Sequence, residues 1–174
     1  MKNLKLAFLF LATIAMVSCG DKKEEKEEMK LEAPSQTTKS METAETSSDE
    51  KMVELTITGN DMMQFNKKEL KVKAGQTVKL TLTHVGQMDV NVMGHNWVLL
   101  KKGTDVSDFG NAAASAKEND YIPVGSDAVI TNTKMLGGGE SVTIEFKAPE
   151  AGTYDFLCSF PGHYALMKGK FIVE

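Results

Sequence analysis

The chain has 174 residues, a formal net charge of −4, and twenty basic residues that are all lysine. Without arginine there is no bidentate phosphate contact, and a negative chain with no basic patch excludes nucleic acid as an expected partner. Only two cysteines are present, Cys19 and Cys158, too few for a disulfide framework.

The first 18 residues read as a targeting segment. Lys2 and Lys5 form a positive start, and Leu6 to Val17 form an apolar run too short to span a bilayer. Met16-Val17-Ser18-Cys19 then fits a lipobox, in which Cys19 becomes the lipid-bearing first residue of the mature chain. An ordinary secretory signal followed by a chance cysteine is the alternative. Either reading takes the protein out of the cytoplasm. Loss of residues 1–18 removes two lysines and no acids, so the mature charge is 18 minus 24, or −6. If Cys19 carries lipid, Cys158 has no disulfide partner, and a lone thiol in an oxidising compartment calls for an occupant such as a metal.

Residues 19–51 are expected to be a lipid-anchored, disordered acidic linker. The run Asp21 to Glu28 is almost wholly charged, and the Ser, Thr, Glu and Lys that follow cannot bury enough surface to offset their ordering entropy. The acidic run just after Cys19 also resembles signals that send some bacterial lipoproteins to the cell surface.

Residues 52–174 are expected to form one domain. Short alternating or β-branched runs recur at Val53–Thr58, Leu70–Lys73, Thr77–Thr83, Trp97–Leu100, Ala128–Thr131, Ser141–Phe146, Thr153–Leu157 and Lys170–Val173. Turn signals such as Ala74-Gly75, Gly137-Gly138-Gly139 and Pro149 to Gly152 separate most of them. In Thr77–Thr83, Val78, Leu80 and Leu82 alternate with polar residues, and Val142, Ile144 and Phe146 repeat the pattern. This is the signature of an all-β, antiparallel β-sandwich. The alanine-rich stretch within Asp105–Asn119 predicts one short helix outside the sandwich.

The chemistry concentrates in Cys158 to Met167. Four residues separate Cys158 from His163, and three separate His163 from Met167. A second imidazole, His95, lies far upstream. A thiolate and two imidazoles with a weak thioether form the ligand set of a copper electron-transfer site. Taken singly, Cys is commonly a small buried hydrophobe and Met a core residue; the joint arrangement points to an ion. Zinc is the rival occupant, although the paired Cys-x2-Cys spacing of structural zinc sites is absent. Pro161-Gly162 before His163 is a turn signal that helps hold the imidazole.

Asn91 to Leu99, and Phe160-Pro161-Gly162-His163 with Ala165-Leu166-Met167-Lys168-Gly169, resemble the ligand segments of the azurins, a family of small blue-copper cupredoxins. The Cys-x4-His-x3-Met spacing is that of azurins and is longer than in plastocyanin-like or amicyanin-like loops, and Gly59 to Asn66 fits the azurin N-terminal strand. The resemblance implies an eight-stranded Greek-key sandwich with one copper near one end. It also implies ligation by His95, Cys158 and His163, with Met167 and the Gly94 carbonyl as distant axial contacts. It further places Asn96 near the thiolate, Phe160 beside the copper, Trp97 in the core and His84 near the site. The bland reading of His84 is a satisfied, partly buried strand-end histidine. Azurins usually carry a disulfide near the domain start; this chain has no cysteine there.

By the same resemblance, His163 reaches the surface within an apolar patch of Met63, Met88, Val92, Met93, Phe160 and Ala165, suited to brief encounters. The function expected is single-electron shuttling, not catalysis, in the bacterial cell envelope, facing the periplasm or the cell surface. Expected partners are redox proteins such as c-type cytochromes, reductases or peroxidases, plus the membrane through Cys19, and a monomer is expected. An enzyme with a second, His-rich copper is disfavoured because only His84 would remain to ligate it, and a binuclear copper would need two bridging cysteines. A copper chaperone would use exposed, exchangeable Met- or Cys-rich motifs.

Overall fold

The computed structural model describes residues 51–174; the targeting segment, Cys19 and the linker lie outside the described residues. Two sheets face each other. The first contains β2 (Gln64–Phe65), β1 (Met52–Asn60), β4 (Thr77–His84) and β7 (Ser141–Lys147), in that order. The second contains β3 (Glu69–Val72), β9 (Lys168–Val173), β8 (Gly152–Leu157), β5 (Val98–Leu100) and β6 (Val129–Asn132). All eight expected strands are present. The ninth, β2, is a two-residue strand that turns back on the end of β1, pairing Asn60 with Gln64.

Alternation along β4 sends Val78, Leu80, Leu82 and His84 inward and leaves Thr77, Lys79, Thr81 and Thr83 half-exposed. Leu80 pairs with Leu55 on one side and Ile144 on the other, so each strand buries its apolar face in step. Between the sheets lie Ile57, Leu82, Leu99, Phe156 and Phe171 around the fully buried Trp97, as expected for a core indole. The sheets are not wholly antiparallel: β1 runs parallel to β4 and β3 parallel to β9. Alternation has period two in either orientation, so the pattern could not reveal this.

The expected helix over Asp105–Asn119 is shorter. Helix α2 spans Val106–Ala113, capped by the Asp105 carboxylate, which accepts from the Ser107 and Asp108 N–H groups. Phe109, Gly110 and Ala113 are its buried residues. From Ala114 to Asn119 no residue is buried, and the Ser115 hydroxyl donates back to the Ala112 carbonyl. A 3-10 turn at Lys117–Asn119 follows, then Asp120 and Tyr121 in the left-handed region at φ 51° and 57°. The pattern also missed α1 (Val90–Met93), a single turn capped by Asp89.

Two connections meet at one end of the sandwich. One carries His95 between β4 and β5, and the other joins the antiparallel neighbours β8 and β9 and carries Cys158 and His163.

Candidate metal centre

His95 is held from both sides of its chain. Its N–H donates to the Leu136 carbonyl at 3.0 Å, and its carbonyl accepts from Leu136 at 2.8 Å. The ring Nε2 lies 2.9 Å from the Asn60 carbonyl. A carbonyl only accepts, so Nε2 carries the proton and Nδ1 presents a free lone pair. That Nδ1 faces the Cys158 sulfur at 3.9 Å, and His163 Nδ1 faces it at 3.7 Å. The three ligand atoms lie within 4.8 Å of one another and all three residues are buried. With metal–sulfur and metal–nitrogen bonds of about 2.3 and 2.0 Å at 120°, sulfur and nitrogen would stand about 3.7 Å apart. Both observed separations agree. The Gly94 carbonyl lies 3.8 Å from the same sulfur, accepting from the thiol.

Electrostatics prepare the pocket for a cation. Burial pushes the Cys158 thiol up to about 12, while the backbone N–H groups of Asn96 and Phe160 pull it the other way. Burial, helped by the neighbouring His95 and His84, takes His163 down to about 4. Burial also lowers His95, against the pull of its Asn60 partner. Near neutral pH the site therefore holds a protonated thiol and two neutral imidazoles. A metal ion supplies what would ionise the sulfur.

Asn96 ties the two ligand loops together. Its Oδ1 accepts from the Ser159 N–H at 2.8 Å, and its Nδ2 donates to Ser159 Oγ at 2.8 Å and to the Asp120 carbonyl at 2.9 Å. Within the second loop, Cys158 N–H donates to the Met167 carbonyl at 2.9 Å, and Met167 N–H to the His163 carbonyl at 2.7 Å. Met167 is fully buried. The Phe160 ring lies 4.6 Å from the His163 ring and 5.3 Å from Tyr121.

Two glycines allow the close approach. A Cβ on Gly59 would sit 2.7 Å from the His95 ring and 3.2 Å from the Met167 methyl. One on Gly94 would meet the Val90 carbonyl, the Met135 sulfur and the Phe160 ring at 2.6–2.9 Å. The sequence assigns no role at the site to Gly59, the Asn60 carbonyl, Ser159 or Leu136, because each acts through a contact distant along the chain.

His163 keeps 3% of its surface exposed, whereas His95 has none. Of the residues expected in an apolar patch with it, Met88 and Val92 are exposed at 44% and 61%, and Ala165 is exposed, while Met63 and Met93 are half-buried and Phe160 is buried. Leu166, 55% exposed on the same loop, was missed. His84 departs from the expected satisfied, partly buried residue. It is fully buried, its ring lies 4.3 Å from that of His95 and tilted to it by 48°, and neither ring nitrogen has a hydrogen-bond partner among the described residues. Its nearest carboxylate, Asp61, stands 3.7 Å away. Burial lowers its affinity for a proton and Asp61 opposes this.

Residues 51–174 match the family described as copper binding proteins, plastocyanin/azurin family. Azurin-1 of Alcaligenes xylosoxydans xylosoxydans is 45% identical over 117 residues, 65% of this chain and 91% of that protein. Azurin of Bordetella pertussis is 44% identical over 117 residues, 65% of this chain and 78% of its own. Among solved structures, auracyanin A of Chloroflexus aurantiacus, described as a "blue" copper protein, is 36% identical with a TM-score of 0.65, over 71% of this chain and 99% of its own. Reduced auracyanin of Roseiflexus castenholzii is 38% identical with a TM-score of 0.63, over 70% of this chain and 96% of its own. With the entire described domain matched at this level, the chain belongs to the plastocyanin/azurin family of copper-binding proteins.

Proposed function

We propose that His95 Nδ1, Cys158 Sγ and His163 Nδ1 would hold one copper ion, with Met167 and the Gly94 carbonyl as weaker contacts beside them. The observation that carries this reading is the convergence of the buried sulfur with two imidazole nitrogens at 3.7 and 3.9 Å. Bound copper supplies one-electron chemistry between its two oxidation states, and thiolate with imidazole suits both.

The chain's own residues do the rest. Cys158 would hold the ion as a thiolate, its proton released to solvent. Asn60 keeps His95 in the tautomer that offers Nδ1. The Asn96–Ser159 pairing keeps both loops in place, so little rearrangement accompanies a change of charge. The protein is thus an electron carrier, not an enzyme. His163, which keeps 3% of its surface exposed where His95, Cys158 and Met167 keep none, is the exchange point. Met63, Met88, Val92, Met93, Phe160 and Ala165, joined by Leu166, form the weakly specific docking face around it. Partners are redox proteins of the bacterial cell envelope, of the class of c-type cytochromes, reductases or peroxidases. Lipid on Cys19 and the acidic linker tether the domain to a membrane.

Titrating the full chain with copper(II) tests the ligand set. One equivalent should develop an intense visible thiolate-to-copper band, and Cys158→Ser should abolish it. A colourless wild type at saturation overturns the reading.

A further inference from the structure

The two imidazoles are anchored differently. His95 has the Asn60 carbonyl behind its ring, whereas among the described residues the His163 ring makes no hydrogen bond other than its contact with the thiol. Its orientation therefore depends on the 3-10 turn His163–Ala165 that carries it. The next residue, Tyr164, leaves the sandwich and lies on α2. Its hydroxyl donates to Asn111 Oδ1 at 2.9 Å, and its ring fills the space above Gly110. A Cβ at position 110 would overlap the Tyr164 ring, whose Cε1 would be 2.8 Å away. Glycine inside a helix costs stability relative to alanine, and Gly110 is not in the left-handed region where glycine would be favoured. Close approach is what remains to account for it. The helix is itself seated by Phe109 and Ala113 and capped by Asp105.

We infer that α2 is a splint for the surface-facing ligand: the Gly110 notch and the Asn111 amide hold Tyr164, and Tyr164 holds the turn that orients His163. Tyr164, Gly110 and Asn111 are positioning residues and touch no ion. Their contribution is to limit how far the His163 ring turns when the charge at the site changes. The splint is a property of the fold; its consequence for electron exchange rests on the ligand assignment above.

The test uses the full chain as wild type, Gly110→Ala and Tyr164→Phe. In the metal-free form, amide hydrogen exchange is read at Leu166 and Met167, whose N–H groups both donate to the His163 carbonyl, with Leu80 in β4 as reference. Gly110→Ala should speed exchange at Leu166 and Met167 about fivefold or more, the scale of one lost hydrogen bond, with Leu80 unchanged. Tyr164→Phe should give a smaller change of the same sign. After loading with copper sulfate, both variants should alter the electron paramagnetic spectrum and slow electron self-exchange several-fold relative to wild type. Unchanged exchange at Leu166 and Met167, or an equal rise at Leu80, overturns the splint. If Gly110→Ala does not fold, Tyr164→Phe decides alone by the same criterion. Faster exchange in variants of a protein that takes up no copper would uphold the splint and sink the ligand reading. Normal copper spectra with no exchange effect would do the reverse.

Discussion

Replacing Asn96 by Ala tests the tie between the two ligand loops. Asn96 is fully buried and makes three hydrogen bonds, of which two go to the equally buried Ser159. Truncation strands the Ser159 N–H in a place water cannot reach, at about 1–3 kcal/mol, and deprives Ser159 Oγ of a donor at about 1 kcal/mol. The Asp120 carbonyl belongs to a half-exposed residue and can recover a partner from solvent. The expected loss is about 2–4 kcal/mol, a large fraction of the roughly 5–15 kcal/mol that holds an ordinary domain together. The variant should still fold, with its midpoint in urea lowered and its slope unchanged. Asn132→Ala is the control: its amide donates only to the adjacent Thr133 carbonyl at 3.1 Å, and its loss should stay under about 1 kcal/mol. Copper should leave the Asn96 variant faster than wild type when a chelator is added, because the thiolate loop is no longer pinned to the His95 loop. Equal stability losses in the two variants, with equal copper release, would refute the reasoning.

Gly59→Ala should place a methyl against the His95 ring and the Met167 methyl, costing about 1–3 kcal/mol in thermal unfolding and shifting the visible spectrum of the copper form. Val92→Lys adds a charge at a 61% exposed position, so copper binding and stability should hold while stopped-flow electron transfer with a cytochrome slows. The metal-free protein should be most stable between pH 6.5 and 9, as followed by chemical unfolding. Folding lowers His163 from 6.5 to about 4, so the unfolded chain binds more protons in that range and stability falls as pH drops through it. Folding raises Cys158 from 9.0 to about 12, so stability falls again as pH rises above 9. Near pH 7, copper uptake should release one proton from Cys158, raising apparent affinity about tenfold per pH unit.

What the sequence made legible depended on how far each signal had to reach. Thr77–Thr83 announces a half-buried strand because inward and outward residues alternate locally. Cys158, His163 and Met167 announce a metal loop because their spacing is short and their chemistry distinctive. His95 needed the flanking segment to be joined to them. The role of the Asn60 carbonyl could not be read, since any residue offers a carbonyl and only the folded path of β1 brings this one to the His95 ring. Gly59 and Gly110 looked like ordinary glycines until the rings lying against them were visible. The alanine-rich run overstated α2 because propensity says nothing of where the core stops offering a face. His84, polar at a strand end, read as partly buried with its ring satisfied, yet β4 carries it fully inward with Val78, Leu80 and Leu82.

Central to the account is a deprotonated Cys158 bound to copper beside His95 and His163. Visible absorption of the full chain at one equivalent of copper(II), before and after a one-electron reductant, measures this directly. An intense band that bleaches on reduction, returns on oxidation and is missing in Cys158→Ser is the predicted result. A copper-saturated wild type that stays colourless, or a Cys158→Ser variant that keeps the same band, would contradict it.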